Sequence, residues 1–126
     1  MVKPGEDLRR NLHDQFERGD VYAPECPSRP LLDHLTSRWG VLVLVLLLDR
    51  PHRFGELASL IGGVSDKMLS QTLKTLVGDG FVTREVGTDG PVRVTYALTD
   101  VGQGAAERLA DLVEWLESNM NALVPA

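Results

Sequence analysis

The stretch that decides the fold reads Phe54-Gly55-Glu56-Leu57-Ala58-Ser59-Leu60-Ile61-Gly62-Gly63-Val64-Ser65-Asp66-Lys67-Met68-Leu69-Ser70-Gln71-Thr72-Leu73-Lys74-Thr75-Leu76-Val77. Phe54, Leu57, Leu60 and Ile61 recur at helical spacing and make one apolar face of a short helix. Gly62-Gly63 closes it, because glycine enters the left-handed conformation that ends helices without a Cβ clash. Only Val64 then precedes Ser65, whose hydroxyl can accept from the free N–H groups of a new first turn. The second helix is predicted over 66–77, with Leu69, Leu73 and Leu76 as its buried stripe and Met68 and Thr72 beside them. Gly78-Asp79-Gly80 ends it.

Towards the C-terminus the period changes to two. Val82, Arg84 and Val86 alternate with Phe81, Thr83 and Glu85, and Val92, Val94, Tyr96 and Leu98 alternate with Arg93, Thr95 and Ala97. The turn-rich Gly87-Thr88-Asp89-Gly90-Pro91 between them predicts a two-stranded β-hairpin. Thr99 caps a last helix, on which Ala105, Leu109, Leu112, Val113, Leu116, Met120 and Leu123 lie near one face.

Towards the N-terminus, Arg50-Pro51-His52 breaks the apolar run Trp39 to Leu48. Periodicity alone leaves that run as buried strand or buried helix; its length and leading polar residues favour a helix. Ser28 caps a preceding helix with Pro30 in its first turn and Leu31, Leu32 and Leu35 on its apolar face. Val21 to Arg29 reads as a connector and holds Cys26. Leu8, Leu12 and Phe16 predict a short amphipathic helix over about 8–19.

Helix, short turn, helix and hairpin in this order make a winged helix-turn-helix, in which the second helix can enter the DNA major groove. The predicted class is α+β and mostly helical, with a two-stranded wing. One domain is expected over 1–126, with the helix-turn-helix and wing in 50–98 and the last helix in 99–123. Lys67, Ser70, Gln71 and Lys74 form a second, polar stripe on the 66–77 helix, and none of them is a carboxylate. Lysine suits phosphate or guanine, glutamine suits adenine, and serine suits either. Ser65 stands at the helix N-terminus, where free N–H groups favour an anion, while Asp66 would repel one. Arg84 and Arg93 flank the hairpin tip, and Arg53 precedes the first helix of the pair. These eight residues, Ser65, Lys67, Ser70, Gln71, Lys74, Arg84, Arg93 and Arg53, are the candidate contacts to double-stranded DNA.

A net charge of −5 over 126 residues looks wrong for such a partner, but it is unevenly spread. Residues 1–49 carry −2, residues 50–98 carry +1 and residues 99–126 carry −4. The predicted reading head is therefore the one segment with a positive balance. With 43% hydrophobic and 25% charged residues the composition suits a globular domain rather than a disordered or disulfide-built one. The longest apolar run, Val41 to Leu48, is eight residues, against roughly 20 for a membrane span. No apolar segment follows Met1 to Asp7, so a signal peptide is not expected. A single cysteine and no leader predict a cytoplasmic protein without a membrane partner.

The motifs carry a family resemblance. Cys26-Pro27, Arg38-Trp39, Arg53-Phe54-Gly55-Glu56-Leu57, Gly63-Val64-Ser65-Asp66-Lys67-Met68-Leu69, Asp79-Gly80-Phe81-Val82-Thr83-Arg84 and Arg93-Val94-Thr95-Tyr96-Ala97-Leu98-Thr99-Asp100-Val101-Gly102 stand in family order. Together they resemble the HxlR-type family of bacterial winged-helix transcriptional regulators, within the MarR-like superfamily. Departures occur at Arg50-Pro51, Val77-Gly78, Val92 and Thr95. The resemblance implies a homodimer on an inverted-repeat operator, paired through terminal helices. The apolar stripes agree with that, and Leu8, Leu12, Phe16, Leu109, Leu112, Val113, Leu116 and Met120 are the expected interface.

The resemblance also implies a second role for Cys26, since some such regulators sense oxidants or electrophiles through a cysteine at this position. Arg29 and the helix start near Pro30 favour a reactive thiolate, and Glu25 opposes it. With no second cysteine, oxidation would end in an intersubunit or mixed disulfide or an adduct. The plain alternative is a small buried hydrophobe. A regulator responding to a small molecule held near the Trp39–Leu48 helix, and a winged-helix protein-interaction module, are the other readings. Enzyme chemistry finds no footing: His13, His34 and His52 lack ligand spacing, and no nucleophile, phosphate-loop or metal motif is present. Asp111 and Glu114, without a nearby His or Cys, read as a solvated edge. No cofactor or metal is expected.

Overall fold

The computed structural model describes residues 21–88 and 93–123. The helix expected over 8–19, with Leu8, Leu12 and Phe16, lies outside the described residues, as does the hairpin tip at Asp89. The chain divides into two compact units, Met1–His34 and Leu35–Ala126.

In the first unit, turns lead into helix α1 (Ser28–Leu35). Pro30 sits in its first turn, where the missing N–H would have no helical partner anyway. The Arg29 guanidinium donates to the carbonyls of Val21 and Tyr22 at 3.2 and 3.3 Å and ties the connector to the helix start.

The second unit is built on α2 (Arg38–Asp49), capped by the Ser37 hydroxyl, which accepts from Gly40 N–H at 3.1 Å. Val43, Leu44 and Leu47 are buried together, a pattern that only a helix produces. The run of valines and leucines is thus a core helix, packed on α4 (Asp66–Asp79), α5 (Asp100–Ser118) and strand β3 (Val94–Leu98). Leu57 of α3 (Phe54–Leu60) and Ile61 complete the core with Leu69, Leu73, Leu76, Phe81, Val82 and Ala106. No single helix among the described residues is long and apolar enough to cross a membrane.

The turn between α3 and α4 takes the expected shape. Gly63 has φ +86°, and a Cβ there would lie 3.7 Å from the Trp39 ring. Ser65 caps α4 by accepting from Met68 N–H at 3.1 Å. Gly80, at φ +91°, ends α4 two residues later than expected and donates its N–H to Leu76 and Val77.

The expected two-stranded hairpin forms, with one addition, and the last helix departs from expectation. The hairpin of β2 (Val82–Val86) and β3 is not alone: β1 (His52–Arg53) joins it in a three-stranded antiparallel sheet of order β1-β3-β2. A two-residue strand is too short to show a period, so alternation could not reveal it. The last helix is also not continuous to 123. It stops at Asn119, whose side chain donates to the Trp115 carbonyl at 2.8 Å, and resumes as α6 (Met120–Leu123). An asparagine that bonds nearby backbone competes with the helical ladder.

Candidate nucleic-acid interface

The interface grows from α4, because one helix carries both stripes. Leu69, Leu73 and Leu76 are at most 1% exposed, whereas Lys67, Ser70, Gln71 and Lys74 are all exposed. Burial of the leucines therefore fixes how the polar stripe is presented. The Ser65 hydroxyl spends a lone pair on the cap and keeps its proton for an acceptor. Met68, 40% exposed, adds an apolar contact at the same end.

The wing is oriented by its root. Thr99 Oγ1 accepts from Gly102 N–H at 2.9 Å and donates to the Gly80 carbonyl at 2.7 Å, and Thr99 N–H donates to Phe81 at 3.1 Å. These bonds join the end of α4, the start of β2 and the start of α5. Strand register then sorts the side chains. Arg84 stands opposite Tyr96, and Tyr96 opposite His52, so the three form one row on one sheet face. Arg53, Thr95 and Glu85 form the adjacent row on the other face. The structure thus brings Ser70, Lys74 and Arg84 together, but not Arg53 with them. They line a cleft of about 240 Å³ with Val77 and Tyr96. Arg93 is exposed beyond the strand ends, where its carbonyl accepts from Gly87 N–H at 2.7 Å.

Charge commitment separates the cations. Arg29 and Arg108 donate to backbone carbonyls, Arg50 pairs with Glu56 at 2.9 Å, and Arg38 lies 5.6 Å from the Trp39 ring centre. Among the described residues, the side chains of Arg53, Lys67, Lys74, Arg84 and Arg93 make no hydrogen bond or ion pair. These are the five cations named from sequence. The helix start at Arg53 is instead held by Glu56, whose Oε1 accepts the Arg53 N–H at 3.0 Å. That bond, and then the Arg50 guanidinium, hold the Glu56 carboxyl below its ordinary range.

Elsewhere, α5 buries only small residues, Gly102 and Ala106. Of the expected interface residues, Leu109 and Val113 are half-buried, and Leu112, Leu116 and Met120 are exposed. Trp115, 55% exposed, lies among them and was not singled out from sequence. A groove of about 260 Å³ runs between α2 and α5, lined by Leu42, Val45, Leu46, Ile61, Val113 and Glu117 among others. In the first unit, Cys26 is buried, with its sulfur 2.9 Å from the Ser28 hydroxyl.

Tyr96 and Val77 were missed in the cleft. Tyr96 reads as an ordinary strand residue until its register with Arg84 is known, and Val77 reads as the end of the helix.

The model of the HxlR-like helix-turn-helix family matches residues 34–123, which include the whole helix-turn-helix and wing. The chain belongs to this family. It is similar to the helix-turn-helix transcriptional regulator YtfH of Escherichia coli, with 46% identity over 110 residues and 87% of each chain covered. The solved structure of the transcriptional regulator YtfH of Salmonella typhimurium superposes with a TM-score of 0.77 at 46% identity, covering 83% of this chain and 94% of that one. The redox regulator HypR in its reduced form superposes with a TM-score of 0.69 at 31% identity, covering 77% of this chain and 96% of that one. This HxlR-like protein is a transcriptional regulator of the helix-turn-helix type with a winged-helix fold.

Proposed function

We propose that this HxlR-like regulator binds double-stranded DNA as a homodimer, reading an inverted-repeat operator in the cytoplasm through α4 and the wing. The observation that carries the reading is the set of uncommitted side chains on the reading head. Lys67, Lys74, Arg84 and Arg93 engage no protein partner among the described residues, and Gln71 and Ser70 stand exposed between the lysines. Phosphate contacts by the cations would set register, and the exposed Gln71 would meet base edges. The exposed Leu112, Trp115, Leu116 and Met120 support pairing through the C-terminal helices. Such pairing would place two α4 helices roughly 34 Å apart, one duplex turn.

The test is a mobility shift on duplex fragments from the DNA upstream of the protein's own gene, at two salt concentrations. Specific binding that weakens with salt is expected. Lys67→Ala and Lys74→Ala should each lower the log–log salt slope by about one. Unchanged slopes would remove the stripe from the interface, and no binding at any salt would favour a protein-interaction module.

Two observations support an effector. The neighbour HypR is a redox regulator, and Cys26 here pairs its sulfur with Ser28, so oxidation or adduct formation at Cys26 is the proposed signal. The groove between α2 and α5 would suit a small apolar molecule, with Glu117 the one charged lining residue among the described residues. Either would act by shifting the DNA-competent state.

A further inference from the structure

We infer that the cleft between α4 and the wing seats one backbone phosphate of bound DNA, and that the Tyr96 hydroxyl donates a hydrogen bond to it. The inference rests on the DNA-binding reading above and adds to it a residue and a defined ligand group. Ser70, Lys74 and Val77 recur at i, i+4 and i+7, so one flank of α4 forms one wall. Arg84 and Tyr96, directly opposite each other on β2 and β3, form the other. Among the described residues, the lining therefore holds two cations and two hydroxyls, and no carboxylate. Among the described residues, none of these four polar side chains bonds to another protein group. Unspent donors with a net charge of +2 fit a tetrahedral oxyanion better than any neutral or cationic group. The volume of about 240 Å³ is room for on the order of eight waters, enough for a phosphate with parts of its flanking sugars.

The position selects a DNA phosphate over a free anion. Ser70 and Lys74 lie one turn along α4 from Lys67 and Gln71, in the same exposed stripe. A helix about 10–12 Å wide nearly fills a major groove of about 12 Å, so the backbones of the duplex run along its flanks. The flank facing the wing is the cleft. Tyr96 is neutral, so its contact positions the phosphate and releases no counterion, while Lys74 and Arg84 supply the charge.

The experiment uses the full-length protein and a fluorescein-labelled duplex selected by it from a random-core library. Tyr96→Phe keeps the ring and removes only the hydroxyl. It should weaken binding about tenfold with an unchanged salt slope, whereas Lys74→Ala should lower the slope by about one. Single methylphosphonate replacements are then scanned along the duplex. At one position the wild-type protein should lose affinity, and there Tyr96→Phe should cause no further loss. Ser70→Ala, at an exposed helical position, should show the same non-additivity even if Tyr96→Phe lowers the melting temperature. Selection of no duplex by the wild-type protein would overturn the DNA-binding reading itself. Salt-sensitive wild-type binding that Tyr96→Phe leaves unchanged, or a Tyr96→Phe loss that persists at every neutral position, would overturn the inference alone. Inorganic phosphate raising the melting temperature of wild-type but not of Tyr96→Phe, relative to chloride at equal ionic strength, would assign the cleft to a free anion and overturn it too.

Discussion

Gly102 lies directly against Phe81: a Cβ built on Gly102 would stand 2.8 Å from the Phe81 carbonyl carbon and closer still to its oxygen. The first turn of α5 therefore rests on the backbone where β2 begins. Thr99 bonds to both ends of this junction, so α5, α4 and the wing share one root.

Gly102→Ala forces that root apart. Overpacking against backbone should destabilise the protein by about 1–3 kcal/mol, read as a lower thermal midpoint. Gly78→Ala is the opposite case. Gly78 lies in α4 with nothing within 4 Å of its Cβ position, and alanine there should stabilise by about 0.5–1 kcal/mol. Equal midpoints for Gly102→Ala and wild-type would show that the junction yields freely.

Ser65→Ala removes the acceptor for the Met68 N–H at the start of α4. A loss of about 1 kcal/mol is expected, measured as a shift of the urea midpoint at constant m. Ser65→Asp, which keeps an acceptor and suits the helix dipole, should restore stability yet weaken DNA binding, because it sets a negative charge at the proposed DNA-facing end of α4.

Leu116, 45% exposed on α5, contributes little to its own subunit's core. Leu116→Glu should leave the monomer folded by circular dichroism while shifting the sedimentation equilibrium from dimer to monomer. Affinity for a full inverted repeat should then fall to that for a half-site. A variant that stays dimeric would move the proposed interface away from this helix.

Cys26→Ser should separate sensing from packing. Diamide is expected to release DNA from the wild-type protein, reversibly with reductant, and to leave the Cys26→Ser complex intact. Equal diamide sensitivity in both proteins would return Cys26 to the role of a buried packing residue.

Glu56 gives a pH signature. Its carboxyl is held below the ordinary range by the Arg53 N–H and then by Arg50. A lowered folded-state value means that its stabilisation is complete above the range of an unfolded carboxylate and is lost as pH falls through the folded value. Wild-type should therefore melt above Glu56→Gln at neutral pH, by a small margin since the pair is exposed, and the two curves should converge in acid. A gap that widens on acidification would contradict the assignment.

Much of this architecture is legible in the chain by itself. The apolar spacing from Phe54 to Leu76, the stop at Gly62-Gly63 and the cap at Ser65 specify the two helices locally, since each signal acts within a few residues. The leucine stripe of α4 also determines its polar stripe, because burial of one face of a helix exposes the other. The stripe of Lys67, Ser70, Gln71 and Lys74 was likewise legible as free of carboxylates, whereas the lack of partners for Arg53, Arg84 and Arg93 shows only in the folded chain. The two-residue β1 was not legible, because two residues carry no period and the strand exists only through its bonds to β3. Nor was the break at Asn119, where one side chain competes with a ladder that the sequence pattern supports. Register was decided only in three dimensions. Pairing Arg84 with Tyr96, and Tyr96 with His52, depends on how the sheet closes across the loop and on the wing root at Thr99, Phe81 and Gly102. A one-residue slip would turn each of these side chains to the opposite face, so the cleft beside α4 is a property of the fold, built from residues whose types alone do not announce it.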